Sequence, residues 1–166
     1  MRRAVVLVGV GAIAFAGCSS RANLAERSAT QHRTLVVNGD PTPICVAVAT
    51  TVAQQLAGLG SRPSLPPKQG MAFPFGSPSQ PHFTMRQTSF PLAIVWVGPN
   101  SQVLGSTSMV PLAKDDYPSP APITLAVEVS PQEWQPLEGT AVTATLGDAC
   151  NGTVTAGPPG QGPSRF

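Results

Sequence analysis

Charge is scarce in this sequence. Only 11% of its 166 residues are Asp, Glu, Lys or Arg, against roughly 25% in soluble domains generally. Ten basic residues face eight acidic ones, and Arg2 and Arg3 lie in a segment argued below to be removed, which leaves a neutral chain. A neutral chain cannot supply the cationic surface that grips phosphates, so no nucleic acid is expected as a partner. Histidine occurs twice and cysteine three times. With one His inside the domain and scattered carboxylates there is no ligand set for a metal, and no metal or other cofactor is expected. Gly-rich phosphate loops, Walker sequences and nucleophile elbows are missing, as is any catalytic His with a nucleophile and an orienting carboxylate at readable spacing. No catalytic residue is therefore assigned. After the first seventeen residues no apolar run is long enough to cross a bilayer.

The chain does contain one short apolar run, next to a basic start. Met1-Arg2-Arg3 precedes thirteen apolar or small residues, 4–16, a helix of roughly 20 Å where a hydrocarbon core needs about 30 Å. That is the size of a signal-peptide core. Ala16-Gly17 immediately before Cys18 resembles the lipobox of bacterial lipoproteins, which implies cleavage before Cys18 and acylation of its thiol. The expected division is a lipoprotein signal peptide at 1–17, a polar tether at 18–33, a folded domain at 34–155 and a disordered Pro/Gly tail at 156–166. The expected location is the outer face of the bacterial cytoplasmic membrane or another envelope membrane, held by lipid on Cys18. His32 falls in the tether and reads as a solvated side chain. With Cys18 acylated, Cys45 and Cys150 remain as one possible disulfide in an oxidising compartment.

Within the domain the strand signals dominate. Residues 34–37 and 44–49 are short β-rich runs separated by Asn38-Gly39-Asp40-Pro41, and 92–97 is an apolar run followed by a turn and a second extended segment, 102–110. Residues 123–129 and 141–146 alternate, which places Ile123, Leu125, Val127 and Val129 on one face of a half-buried antiparallel strand. Thr51-Val-Ala-Gln54 fits a capping box, with Val52, Leu56 and Leu59 as one apolar helical face and Gly58 or Gly60 as the stop. The expected fold is mostly β: a compact antiparallel sandwich or barrel-like domain with one short α-helix.

Chemistry-bearing residues crowd into 56–97. Gly58-Leu59-Gly60-Ser61-Arg62, Gly70-Met71-Ala72-Phe73-Pro74-Phe75, His82-Phe83-Thr84-Met85-Arg86-Gln87-Thr88 and Pro91-Leu92-Ala93-Ile94 follow in order, and Leu125-Ala-Val-Glu128-Val comes later. This series, over residues 44–147, resembles the DUF192 family, with Gly60, Thr84, Gln87 and Ala93 standing where that pattern carries Met, Trp, Asn and Asp. The resemblance implies a compact β fold and no assigned reaction. Large apolar side chains concentrate here, so Met71, Phe73, Phe83 and Met85 form either core or an apolar pocket, and Arg62, His82, Arg86, Thr88 and Glu128 are its candidate polar partners. Arg62 and Glu128, charged among apolar neighbours, are expected to pair if buried. Asp115-Asp116-Tyr117 reads as a solvated turn. The functional expectation is a non-catalytic binding or accessory module that recognises a small molecule or an envelope protein. The alternatives are an envelope hydrolase or transferase using His82, Arg86 and Thr88, and a structural partner in an envelope complex.

Overall fold

The computed structural model describes residues 30–135, 137–140 and 143–157. The expected signal peptide, Cys18, most of the expected tether and the tail beyond Gly157 lie outside these residues.

Asn-Gly creates the first hairpin. Asn38 (φ 54°) and Gly39 (φ 88°) both adopt positive φ, the pairing a two-residue turn between right-twisted strands requires. They join β1 (Gln31–Val37) to β2 (Asp40–Val48), with Val37 opposite Asp40. Thr51 and Gln54 then cap helix α1 (Val52–Ala57) reciprocally, and Gly58 at φ 49° ends it, its N–H donating to the Gln54 carbonyl at 2.9 Å. Because this helix carries the chain back along the sheet, β3 (Gln69–Ser79) runs parallel to β2, whereas an antiparallel sheet was expected. Helical crossovers are what make parallel pairs possible.

The remaining strands are antiparallel. β5 (Leu92–Val97) and β6 (Val103–Met109) form a hairpin around a 3₁₀ turn at Pro99–Ser101. β8 (Ile123–Val129) inserts between β5 and β3, and β9 (Ala144–Ala149) lies beside β1. The sheet order is β6-β5-β8-β3-β2-β1-β9. Its two ends approach at one bridge, Gln102 with Thr143, so the sheet curls without closing into a barrel. A separate ribbon pairs β4 (His82–Thr84) with β7 (Asp116–Pro118). Asp116 and Tyr117 are thus strand residues where a turn was expected.

Both faces of the sheet are covered. On one, Met71, Phe73, Ile94 and Trp96 pack with Phe83 and Met85 from the ribbon side and with Leu59 and Val154. On the other, Val46, Ala72, Val95 and Val127 pack under Trp134 of a second, four-residue helix, α2 (Pro131–Trp134). β8 is consequently buried on both faces except at Thr124; the half-buried strand expected from its alternation becomes a central one. Ile123 joins the first cluster while Leu125, Val127 and Val129 join the second, at the end of β8 where the β3–β8 register shifts between Pro74 and Ser79.

Three boundaries and faces differ from expectation. β1 begins at Gln31, so Gln31, His32 and Arg33 belong to the sheet and not to the tether. α1 is too short to carry the expected face: Val52 in its first turn is 63% exposed, and Leu59, fully buried, lies past the Gly58 stop. Ala156 and Gly157, the first residues of the expected tail, are packed against the domain.

Candidate functional site

The motif-rich segments converge on one side of the sheet. Gly70 opens β3 where the backbone of β8 comes closest: a Cβ there would lie 2.4 Å from the Glu128 carbonyl oxygen. Only glycine permits that approach. Met71 and Ile94 stand in register with Glu128 on either side, so the Glu128 carboxylate enters the same layer, 1% exposed. Phe73 meets Phe83 edge-on at 5.1 Å between centroids, and Phe83 meets Trp96 at 5.6 Å, the geometry aromatic quadrupoles favour.

This arrangement assigns the Met/Phe group to the core. Met71, Phe73, Phe83 and Met85 are at most 2% exposed, and none of them lines the surface clefts beside α1, α2 or the β1–β2 turn. The polar residues of the candidate pocket are dispersed around that core. Thr88 is buried in a turn, its N–H donating to Met85 O at 3.0 Å and its carbonyl accepting from Leu112 N at 2.9 Å. His82 is exposed on β4, and its imidazole makes no hydrogen bond among the described residues. Arg86 reaches across the ribbon, donating to Lys114 O and to the Asp116 carboxylate at 2.9 Å.

Arg62 does not pair with Glu128. Its Nε and Nη2 donate to the Thr155 carbonyl, and Nη2 also to Thr155 Oγ1. The physical reason is position: the loop after α1 faces the returning C-terminal segment, and the Thr155 carbonyl and hydroxyl satisfy the guanidinium there. Partial burial pulls the Arg62 pKa below its ordinary value.

That C-terminal segment was not legible as part of the site. Residues 150–157 have no regular secondary structure, yet they cross the domain as a tied strap. Cys150 is bonded to Cys45. Gln69 Oε1 accepts from the backbone N–H groups of Thr153 and Val154 at 2.9 and 3.0 Å. His32 Nε2 donates to Val154 O at 2.6 Å, which converts the expected tether histidine into an anchor. Gly157 N donates to Gly58 O at 2.9 Å. Val154 is fully buried in the first core cluster. Among the described residues no group of three or more His, Cys, Asp or Glu side chains gathers as for a metal, and no helix is long and apolar enough to cross a membrane.

An open, mixed-sheet β domain with a packed aromatic–methionine layer and a two-stranded ribbon on one face is the class this fold defines. The profile of the DUF192 family, described as an uncharacterized ACR, matches residues 33–140, and the chain belongs to that family. No curated protein matches the chain. Among solved structures it is similar to a candidate transcription regulator from Sinorhizobium meliloti 1021, at 22% identity and a TM-score of 0.62, covering 74% of this chain and 95% of that one. It is also similar to a protein of unknown function from Novosphingobium aromaticivorans DSM 12444, at 25% identity and a TM-score of 0.58, covering 69% of this chain and 82% of that one.

Proposed function

We propose that this chain is a lipid-anchored domain on the outer face of a bacterial membrane that binds a partner without catalysing a reaction, an accessory module of the cell envelope. The observation that carries the binding reading is the use to which its polar side chains are put. Arg62, Gln69, His32 and Arg86 all hold main-chain groups of other segments, and His82, the one imidazole in the motif block, has no nucleophile against it among the described residues. Activation of a protein nucleophile by a histidine needs such a pair; side chains that take up main-chain groups are what recognition of an extended chain uses. The Cys45–Cys150 bond supports an oxidising compartment, and Met1–Cys18 supplies the address and the acylated thiol.

The anchoring is tested with Cys18→Ser. Labelled palmitate is expected to be lost from the protein and the chain to move from the membrane to the soluble fraction; continued incorporation overturns the lipoprotein reading. The binding reading is tested with His82→Ala, which is expected to leave thermal stability and partner retention unchanged.

A further inference from the structure

The strap is bound to the domain in the way a peptide ligand is bound. Its contacts fall on consecutive main-chain groups: Thr153 N and Val154 N on Gln69, Val154 O on His32, Thr155 O on Arg62, Gly157 N on Gly58. One side chain, Val154, enters the core with no exposed surface. Main-chain hydrogen bonds that give affinity, with a pocket for one side chain that gives selectivity, are the hallmarks of extended-peptide recognition.

Two further observations separate the seat from its occupant. Gly58, Gly60, Arg62 and Gln69 lie inside the family match at 33–140, and His32 and residues 150–157 lie outside it. The seat is also selective at a second point: a Cβ on Gly157 would stand 2.6 Å from the Gly60 carbonyl oxygen, so the position three residues after the buried valine admits only glycine.

We infer that the surface formed by His32, Gly58, Gly60, Arg62 and Gln69 is a binding groove for an extended peptide of the form Val-x-x-Gly, filled in cis by residues 153–157 of the chain itself. The disulfide at Cys150 keeps this internal ligand at high effective concentration, so an outside peptide gains the groove when the strap is displaced. The inference deepens the binding-module reading and is independent of the lipid: loss of palmitate from Cys18→Ser leaves it standing, and its own failure leaves the anchoring intact.

The test uses the full exported chain carrying Val154→Asp, whose strap cannot seat its carboxylate in the core, and a fluorescent peptide of residues 151–157. The variant is expected to bind this peptide saturably and at least about ten-fold more tightly than the unmodified chain does, and about ten-fold more tightly than it binds peptides carrying Val154→Asp or Gly157→Ala. A variant that keeps its sheet protected from amide exchange and discriminates none of these peptides overturns the inference. Should the variant fail to fold, exchange on the unmodified chain decides after the disulfide is reduced. Thr153, Val154 and Gly157 are expected to lose protection at least about ten-fold sooner than β5 and β8; simultaneous loss makes the strap part of the core and overturns the groove.

Discussion

The central strands and the C-terminal strap are attached to one another by opposite means. β5, β8 and β3 are held by burial on two faces: Leu92 to Val97 are all buried, and aromatic rings from β3, β4 and β5 interlock on one side while Trp134 closes the other. The strap has a single buried side chain of any size, Val154, and is otherwise held by polar side chains reaching its backbone. Apolar burial is non-directional and shared among many neighbours, so the sheet tolerates no local opening. Directed hydrogen bonds to an irregular segment can be broken together while the sheet persists, and low-stability segments of that kind are where binding and exchange occur. The difference matches the proposed groove at the strap, with rigidity beneath it.

The hardest way to break this comparison is to damage the sheet. Trp96 is 1% exposed, packs edge-on against Phe83, and donates from Nε1 to Thr107 Oγ1 at 2.9 Å. Trp96→Ala is expected to cost about 3–5 kcal/mol, the range for emptying a large aromatic site. Chemical denaturation should show one cooperative transition at a much lower midpoint. A loss below about 1 kcal/mol would mean that the layer is loosely packed and that the sheet is not the rigid partner in the pair.

A smaller effect follows from cutting the covalent tie between the regions. Cys45 and Cys150 are 105 residues apart in sequence, with Cα atoms at 6.0 Å, so the bond closes a long loop in the unfolded chain. Cys150→Ser is expected to cost about 2–4 kcal/mol by denaturation. Amide exchange should accelerate first at Thr153 and Val154 and only later in β8. Uniform acceleration would erase the distinction between strap and sheet.

How far the sequence displayed these two regions follows from the forces that hold them. Period and turn chemistry are local, so the Asn38-Gly39 hairpin, the Thr51–Gln54 capping box and the 92–97 strand could all be read before any contact was known. The pairing of Cys45 with Cys150 was legible from cysteine count and compartment alone. Burial on the second face of β8 was not, because 123–129 alternates as a half-buried strand does and centrality depends on strands far away in sequence. The short helix α2 was missed because four residues, Pro131–Trp134, carry no periodicity. For the candidate site, the order of the motifs located the packed layer of Met71, Phe73, Phe83 and Met85, but it could not separate core from pocket. Gln69 and His32 carried no signal at all: each acts through a segment more than 80 residues away in sequence, and a polar side chain that binds distant backbone leaves no pattern near itself. Cys150, four residues before Val154 and expected to pair with Cys45, was the single hint that 150–157 belongs to the fold.

On β4 a buried hydroxyl stands beside the packed layer. Thr84 is 4% exposed and its Oγ1 has no hydrogen-bond partner among the described residues, at the place where the family pattern carries a tryptophan. Burying a hydroxyl unpaired costs stability, and replacing it by a methyl of the same shape removes that cost. Thr84→Val is therefore expected to raise stability by about 1 kcal/mol, read as a higher denaturation midpoint with an unchanged slope. A fall would show that the hydroxyl is satisfied in solution and that the layer beneath the ribbon is wetter than the sheet it covers.

The smallest expected effect lies on the ribbon, which is anchored in the core by Phe83 and carries one exposed ion pair in addition. Arg86 and Asp116 meet at 2.9 Å with side chains 48% and 44% exposed. Charges in that setting attract each other weakly through water and are screened further by salt, so exposed pairs contribute about 0–1 kcal/mol. Asp116→Asn is expected to shift stability by no more than about 0.5 kcal/mol, with the difference vanishing in concentrated salt. Arg86 keeps its bonds to the Lys114 carbonyl in this variant, and β4 with β7 keeps its backbone ladder, so the ribbon should stay docked. A loss well above 1 kcal/mol that persists in high salt would show that the ribbon depends on this pair more than on the burial of Phe83, and would place it with the strap as a region held by polar contacts.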